Sequence, residues 1–251
     1  MKVPIIHARE TGSTNADAMV RAQAGEPLPF WLSAETQSAG KGRSGRAWVS
    51  GPGNLHASLA LQLSCAPAIA SQLSLVAGVA VIDAIISAGN QAGISPAPQF
   101  RLKWPNDIVC GSAKFGGILV ETSAGQAAGG LIAVIGVGVN VLSHPVIEGR
   151  KTSSLAACGL AISRDALLYA LEGAMDSGLR LWNEGAGFDG VRQRWLMAGL
   201  AVGTQLTVNT GTAVAQGRFA GLDADGALLL TDLSGRRQRF TFGDVTLTGE
   251  L

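Results

Sequence analysis

Gly40-Lys-Gly-Arg-Ser-Gly-Arg-Ala-Trp48 separates two architectures. Its spacing Gly40-x-Gly42-x-x-Gly45 matches the dinucleotide-binding fingerprint, but that motif needs a helix to open inside the loop. Here Trp48-Val-Ser-Gly-Pro-Gly53 follows, and its glycines and proline interrupt a helical reading. A phosphate loop of the Walker type fails too, because no Gly-Lys-Ser/Thr ends the segment. What is left is a loop with three glycines and three cations, Lys41, Arg43 and Arg46. Such a loop suits a polyphosphate, through backbone amides and guanidinium groups; the plain alternative is a basic loop facing water.

Outward from this loop the chain reads as α+β. Residues 11–24 form a turn and a helix, with Thr14 and Asp17 at capping-box spacing and Gly25 at the stop. Residues 30–34 and 55–63 read as strands, the second setting Leu55, Ala57, Leu59, Leu61 and Leu63 against His56, Ser58, Ala60 and Gln62. A buried helix spans 68–88, and strands follow at 101–109, 118–121 and 131–141, joined by Gly-rich turns. Helical periodicity returns over 164–182 and 188–197. After Gly199 short β-rich runs (205–209, 214–222, 227–231, 237–242) alternate with turn signals, as in a small barrel of about five strands.

Three further segments carry chemistry. In Arg101-Leu-Lys-Trp-Pro-Asn-Asp107 the proline breaks a strand and leaves Asn106 and Asp107 at its rim, as a ligand contact or as a simple turn. In Ala113-Lys-Phe-Gly-Gly-Ile-Leu-Val-Glu121 a lysine beside two glycines can offset charge developing on a phosphate; an exposed hairpin lysine is the alternative. Ile135-Gly-Val-Gly-Val-Asn140 is an apolar strand whose glycines leave room for a ligand or for tight packing.

The bulk composition narrows the classes. With 251 residues, 47% hydrophobic and a net charge of +1, the chain can fill a core and shows no bias toward nucleic acid or anionic membrane. Cys65, Cys110 and Cys158 are scattered and odd in number, which argues against a disulfide framework or structural zinc and for a reducing compartment. Met1-Lys-Val-Pro4 lacks a signal-peptide run, and the apolar segment 69–88 carries Ser71, Gln72, Ser74, Asp83 and Ser87, so a buried helix fits better than a spanning one.

Taken in order, Thr11-Gly-Ser-Thr-Asn15, Gln37, the 40–48 loop, Asn54-Leu55, Lys103-Trp-Pro-Asn-Asp107, residues 114–121 and Gly136-Val-Gly-Val-Asn140 closely resemble the biotin–protein ligase family. The resemblance implies a mixed-sheet catalytic domain of the class II synthetase-like type over residues 1–200, with a small SH3-like β-barrel over 201–251. It implies two steps: biotin's carboxylate attacks the α-phosphate of ATP, releasing pyrophosphate, and a carrier lysine then displaces AMP from biotinyl-5′-AMP.

By position, Ser13, Thr14, Asn15 and Gln37 meet the biotin head group, and Gly40, Gly42, Gly116 and Gly117 line the acid. Arg43 holds the intermediate and the phosphates. Lys114 bridges the carboxylate and α-phosphate. Lys41 and Arg46 face ATP, and Trp48 flanks adenine once the loop closes. Asn106 and Asn140 lie on the nucleotide side, and Asp107 orients or deprotonates the incoming lysine. The implied ligands are biotin, ATP and Mg²⁺, with no metal site from the protein alone. The implied partner is a biotin carboxyl carrier protein or domain.

A monofunctional, cytoplasmic form is expected, without specific DNA binding or a membrane, as monomer or homodimer, since only ten residues precede Thr11. The chain departs from the family pattern at Lys41 and Ser44, where arginine is common, at His56, where tyrosine is common, and at Phe115. A lipoate-type ligase and a non-catalytic biotin or nucleotide binder are the alternatives.

Overall fold

In the computed structural model, which describes residues 3–49, 51–94, 100–125 and 130–247, the strand with the strict alternation lies inside a seven-stranded sheet. The strands are β1 (Ile5–Thr11), β2 (Phe30–Gln37), β3 (Leu55–Leu63), β4 (Phe100–Lys103), β5 (Asp107–Cys110), β6 (Ala113–Ala124) and β7 (Leu131–Val139). Their order is β1-β2-β3-β7-β6-β5-β4, with β1 and β2 parallel and every other pair antiparallel. Helix α1 (Thr14–Gln23) packs on one face, over β3 and β7. On the other face lie α2 (Pro67–Ala70), α3 (Leu73–Gln91), α4 (Arg164–Trp182) and α5 (Phe188–Ala198).

The alternation of β3 explains this layering. Leu55, Ala57, Leu59, Leu61 and Leu63 join the large apolar cluster with α3, whereas Ala60 joins a smaller cluster with Ala18 and Ala22 of α1. Helix α3 is apolar all round because it is covered on most sides. The stretch Pro67–Gln91 is long and apolar enough to cross a membrane, and 72% of its apolar window is buried within the protein.

A five-stranded antiparallel sheet follows: β8 (Gln205–Asn209), β9 (Val214–Leu222), β10 (Leu228–Thr231), β11 (Arg237–Phe240) and β12 (Asp244–Leu247), in the order β11-β10-β9-β8-β12. The architecture is thus α+β with a small C-terminal β-unit of the SH3-like type. Its core residues Leu206, Val208, Phe219 and Leu230 belong to the same apolar cluster as α3.

Several expectations change. Strand β1 is an addition to the expected elements, and β12, beyond the four β-rich runs, completes the expected five strands of the barrel. The 68–88 helix divides at Ser71-Gln72, where the Gln72 side chain accepts the Trp182 indole N–H at 2.7 Å. The 101–109 strand is a hairpin, since Pro105 turns the chain between β4 and β5. The capping box at Thr14 and Asp17 does not form: Ser13 is the N-cap, and Asp17 accepts from the Thr11 hydroxyl. Parts of four readings lie outside the described residues: 1–2 of the N-terminus, Ser50 after the loop, 126–129 of a Gly-rich turn and 248–251 of the barrel.

Candidate active site

Strand pairing builds the site floor. One transverse row crosses the sheet as Ala34, His56, Gly138, Gly117, Asp107 and Lys103, each opposite the next. A neighbouring row runs Leu32, Ser58, Gly136 and Leu119. Directly opposed residues point to the same face, and for both rows this is the α1 face, because a side chain on Gly136 would strike Asn15 of α1 at 2.2 Å. Glycine is required there by that approach. Gly138 is required in the same way, since a Cβ would lie 2.6 Å from the Trp48 ring. Gly138 and Gly117 carry no side chains in the middle of the first row, and the trough this leaves between His56 and Asp107 is occupied by the Trp48 ring and the Lys114 side chain.

The start of α1 and the end of β2 supply the wall above the second row. The Thr14 amide and hydroxyl both donate to Gln37 Oε1, at 2.8 and 3.1 Å. Asn15 Nδ2 donates to Glu121 Oε2 at 2.8 Å and to the Leu119 carbonyl at 3.2 Å. The Ser58 hydroxyl sits between them, 2.8 Å from Thr14 Oγ1 and 2.7 Å from Asn15 Oδ1. Ser13, Thr14, Asn15 and Ser58 are all buried. Ser58 and Glu121 escaped the sequence reading; the signal for Ser58 was a polar residue inside a strand flanked by apolar neighbours.

At the far end of the trough, Asp107 lies between two ammonium groups, Lys114 Nζ at 2.5 Å and Lys103 Nζ at 3.1 Å. Burial alone would raise the Asp107 pKa, but the charges and hydrogen bonds of Lys114 and Lys103 outweigh it and hold the carboxyl below its usual range. Lys114 Nζ also stands 5.6 Å from the Trp48 ring centroid. The Lys114 backbone is fastened by Lys151 and Ser153, whose carbonyl and amide bond its N–H and C=O at 2.9 Å each.

The 40–48 loop is folded against this end. Gly42 N–H donates to the Arg46 carbonyl at 2.7 Å and Trp48 N–H to the Gly40 carbonyl at 2.8 Å. Ser44 closes its single turn in the left-handed region, at φ 55°. Arg43 donates to Asn106 Oδ1 at 3.1 Å and to the Gly243 carbonyl at 3.2 Å, while Arg46 pairs with Asp244 at 2.8 Å. Burial lowers the Arg43 pKa against the pull of Asp244 and Asp107, with Arg46 adding to the fall. The loop therefore docks on both the β4–β5 turn and the C-terminal sheet.

Lys114, Asp107 and Trp48 meet at one end of the trough, and Thr14, Asn15 and Gln37 meet at the head of the other row. Arg43 joins Asn106 at the margin. Gly116 lies on β6 beside Ile108 and Gly138, and Gly40 is buried at the foot of the loop. Lys41 is exposed and Arg46 is turned to Asp244. Asn140, just beyond β7, donates from Nδ2 to the Ser153 carbonyl at 3.0 Å, and its Oδ1 is buried without a hydrogen-bond partner. Trp48 Nε1 and both ring nitrogens of His56 are in the same condition.

The arrangement presents hydroxyl and amide groups at one level and a lysine–aspartate–lysine array at the next. It can orient a polar head group and place an anionic junction beside Lys114.

Comparison with known proteins agrees. A family model described as biotin/lipoate A/B protein ligase matches residues 27–140, and one described as the biotin protein ligase C-terminal domain matches 203–247. The biotin–[acetyl-CoA-carboxylase] ligase of Paracoccus denitrificans is 35% identical, covering 90% of this chain and 94% of that protein. The ligase of the same name from Mycobacterium tuberculosis is 32% identical, covering 94% and 86%. Among solved structures, the biotin protein ligase from Aquifex aeolicus in complex with biotin and ATP shares the fold, with a TM-score of 0.74 over 98% of this chain and 99% of that one at 20% identity. The chain belongs to the biotin protein ligase family.

Proposed function

We propose that the trough between His56 and Asp107 is where this ATP-dependent biotin–protein ligase joins biotin's carboxylate to the α-phosphate of ATP. The carrying observation is the Lys114 ammonium, anchored by Asp107 and set over a glycine floor. Two anions must meet in the first step, and a fixed cation offsets the charge at their junction. The oxygen–phosphorus bond forms, pyrophosphate leaves, and biotinyl-5′-AMP remains. In the second step the neutral amine of a carrier lysine attacks the acyl carbon, an amide forms and AMP leaves.

Ser13, Thr14, Asn15 and Gln37 hold the ureido head, with Gly40, Gly42, Gly116 and Gly117 lining the acid. Lys41, Arg43 and Arg46 supply the positive field for the phosphates. Trp48, Asn106 and Asn140 face the nucleotide. For Asp107 the lowered pKa supports orientation of Lys114 and the incoming amine rather than proton removal, because a stabilised carboxylate is a weak base. The 40–48 lid, fastened to Asn106 and Gly243, slows hydrolysis of the adenylate by excluding water.

Among the described residues no three His, Cys, Asp or Glu side chains could hold a metal ion together. Magnesium in this reading arrives on the phosphates of ATP. The acceptor is a biotin carboxyl carrier protein or domain in the cytoplasm, a setting that the reduced cysteines Cys65, Cys110 and Cys158 support. Residues 1–200 form the catalytic domain and 201–251 the barrel, and the enzyme works as a monomer or homodimer without operator DNA. Mass spectrometry of a carrier domain after incubation with biotin, ATP, Mg²⁺ and this protein tests the reading. A single-lysine biotin adduct is expected. An adduct formed with lipoate and none with biotin would select the alternative ligase.

A further inference from the structure

Four buried side-chain nitrogen and oxygen atoms among the described residues have no hydrogen-bond partner: Trp48 Nε1, His56 Nδ1, His56 Nε2 and Asn140 Oδ1. They gather around one residue. His56 is the cross-strand neighbour of Gly138, Trp48 lies over Gly138, and Asn140 is two residues further along the same strand direction. An unsatisfied buried polar atom costs roughly 1–3 kcal/mol, so a cluster of them points to a ligand that satisfies them.

His56 is the member that the reading above leaves without a task. It is only 1% exposed. The Gly51 backbone lies near it and favours its charged form, without forming a hydrogen bond to either ring nitrogen. Burial dominates, Arg164 adds to it, and the pKa is pushed down to about 4. The ring is therefore neutral at pH 7, with one N–H donor and one lone pair. Its level in the sheet says what it faces. Ser58, on the head-group level, is two residues along β3, while Gly138, Gly117 and Asp107 share its own row with Lys114 above. The carboxyl–phosphoryl junction belongs on that row.

We propose that His56 is a substrate-binding residue whose imidazole donates a hydrogen bond to an oxygen of the carboxyl–phosphoryl junction, from the end of the trough opposite Lys114. The inference rests on this face being the site of adenylate formation. Lys114 grips the junction as a cation and His56 fixes its other side as a dipole, a division that a tyrosine hydroxyl at the same position could also perform.

The test uses the full chain labelled with ¹⁵N in its three histidine rings, with the His56 signals identified by their loss in His56→Phe. On conversion of biotin and ATP to biotinyl-5′-AMP, the His56 ring nitrogens are expected to shift. His56→Phe is expected to lower kcat/KM for biotin about tenfold, as for one hydrogen bond lost at the reacting junction. His56→Gln and His56→Tyr restore a donor and should recover most of the loss; they also serve if the phenylalanine variant misfolds. Unmoved ring signals in a wild type that makes adenylate, together with an unchanged kcat/KM for biotin in a folded variant, would overturn the inference and leave the ligase reading standing. A wild type that makes no adenylate would overturn both.

Discussion

The two faces of the seven-stranded sheet are made by the same strands and are built on opposite rules. On the α3 face, β3 contributes Leu55, Ala57, Leu59, Leu61 and Leu63 to one continuous apolar cluster. On the α1 face the same strand contributes His56 and Ser58, opposed by Gly138 and Gly136. The first face maximises buried apolar area. The second leaves polar atoms unpartnered around Gly138 and removes side chains where a trough is needed. A buried polar atom without a partner is a stability cost, and here that cost is concentrated around Gly138, in the site proposed for adenylate formation.

The largest test of this contrast is Lys114→Ala. It removes the cation from the trough and leaves Asp107 with Lys103, so the fold should survive. Adenylate formation, read as biotin-dependent pyrophosphate release, is expected to fall by about 10²–10³. A wild-type rate in that variant would remove the trough from the mechanism.

A second test reads the cost of the functional face as stability. The folded pKa of His56, about 4, lies below its ordinary value of 6.5. Between these values the unfolded chain binds a proton that the native protein does not. Stability is therefore complete above pH 6.5 and falls as pH drops toward 4, by on the order of 3 kcal/mol. His56→Phe should flatten that part of the denaturation-midpoint profile. An unchanged slope would mean that other groups set it.

Much of this was legible because local patterns and tertiary structure agree. The alternation of β3 and the periodicity of α4 give their bounds directly. Strand β1 was not legible: Ile5-Ile-His-Ala-Arg-Glu-Thr11 is an edge strand with exposed charges, defined by its parallel pairing with β2. The order of the motifs pointed to the reaction. The transverse rows did not show, because they join residues such as Ser58 and Gly136, or His56 and Gly138, through strand register. Register is a tertiary property, and a one-residue slip would turn His56 to the other face.

One substitution made on both faces sharpens the contrast. In Gly138→Ala the new Cβ meets the Trp48 ring at 2.6 Å, so the indole must leave its place over the trough. In Gly78→Ala, on α3, the Cβ meets Leu102 Cδ2 at 3.3 Å within the apolar core. Gly138→Ala is expected to lower kcat/KM for biotin about a hundredfold with little change in melting temperature. Gly78→Ala should change stability by no more than about 1 kcal/mol, helix propensity opposing the tighter contact, and leave turnover per folded molecule intact. Equal losses of activity in both would show that the two faces are not separable.

The smallest effects are expected at the lid, where two arginines three residues apart are held differently. Arg43 is partly buried and donates to Asn106 and Gly243, whereas the Arg46–Asp244 pair is 37% and 52% exposed. Arg43→Ala should leave the catalytic core folded but release biotinyl-5′-AMP about tenfold faster, because it removes two charge-assisted hydrogen bonds that close the lid. An exposed pair is worth less than about 1 kcal/mol and is screened by salt. Arg46→Ala should therefore raise KM for ATP only about threefold, and less at high ionic strength. Asp244→Asn discriminates the two uses of that arginine. If Arg46 serves the phosphates, freeing it from Asp244 leaves KM for ATP unchanged or lower. If Arg46 only fastens the loop to the C-terminal sheet, the two substitutions raise KM equally, and the phosphate role passes to Arg43 and Lys41.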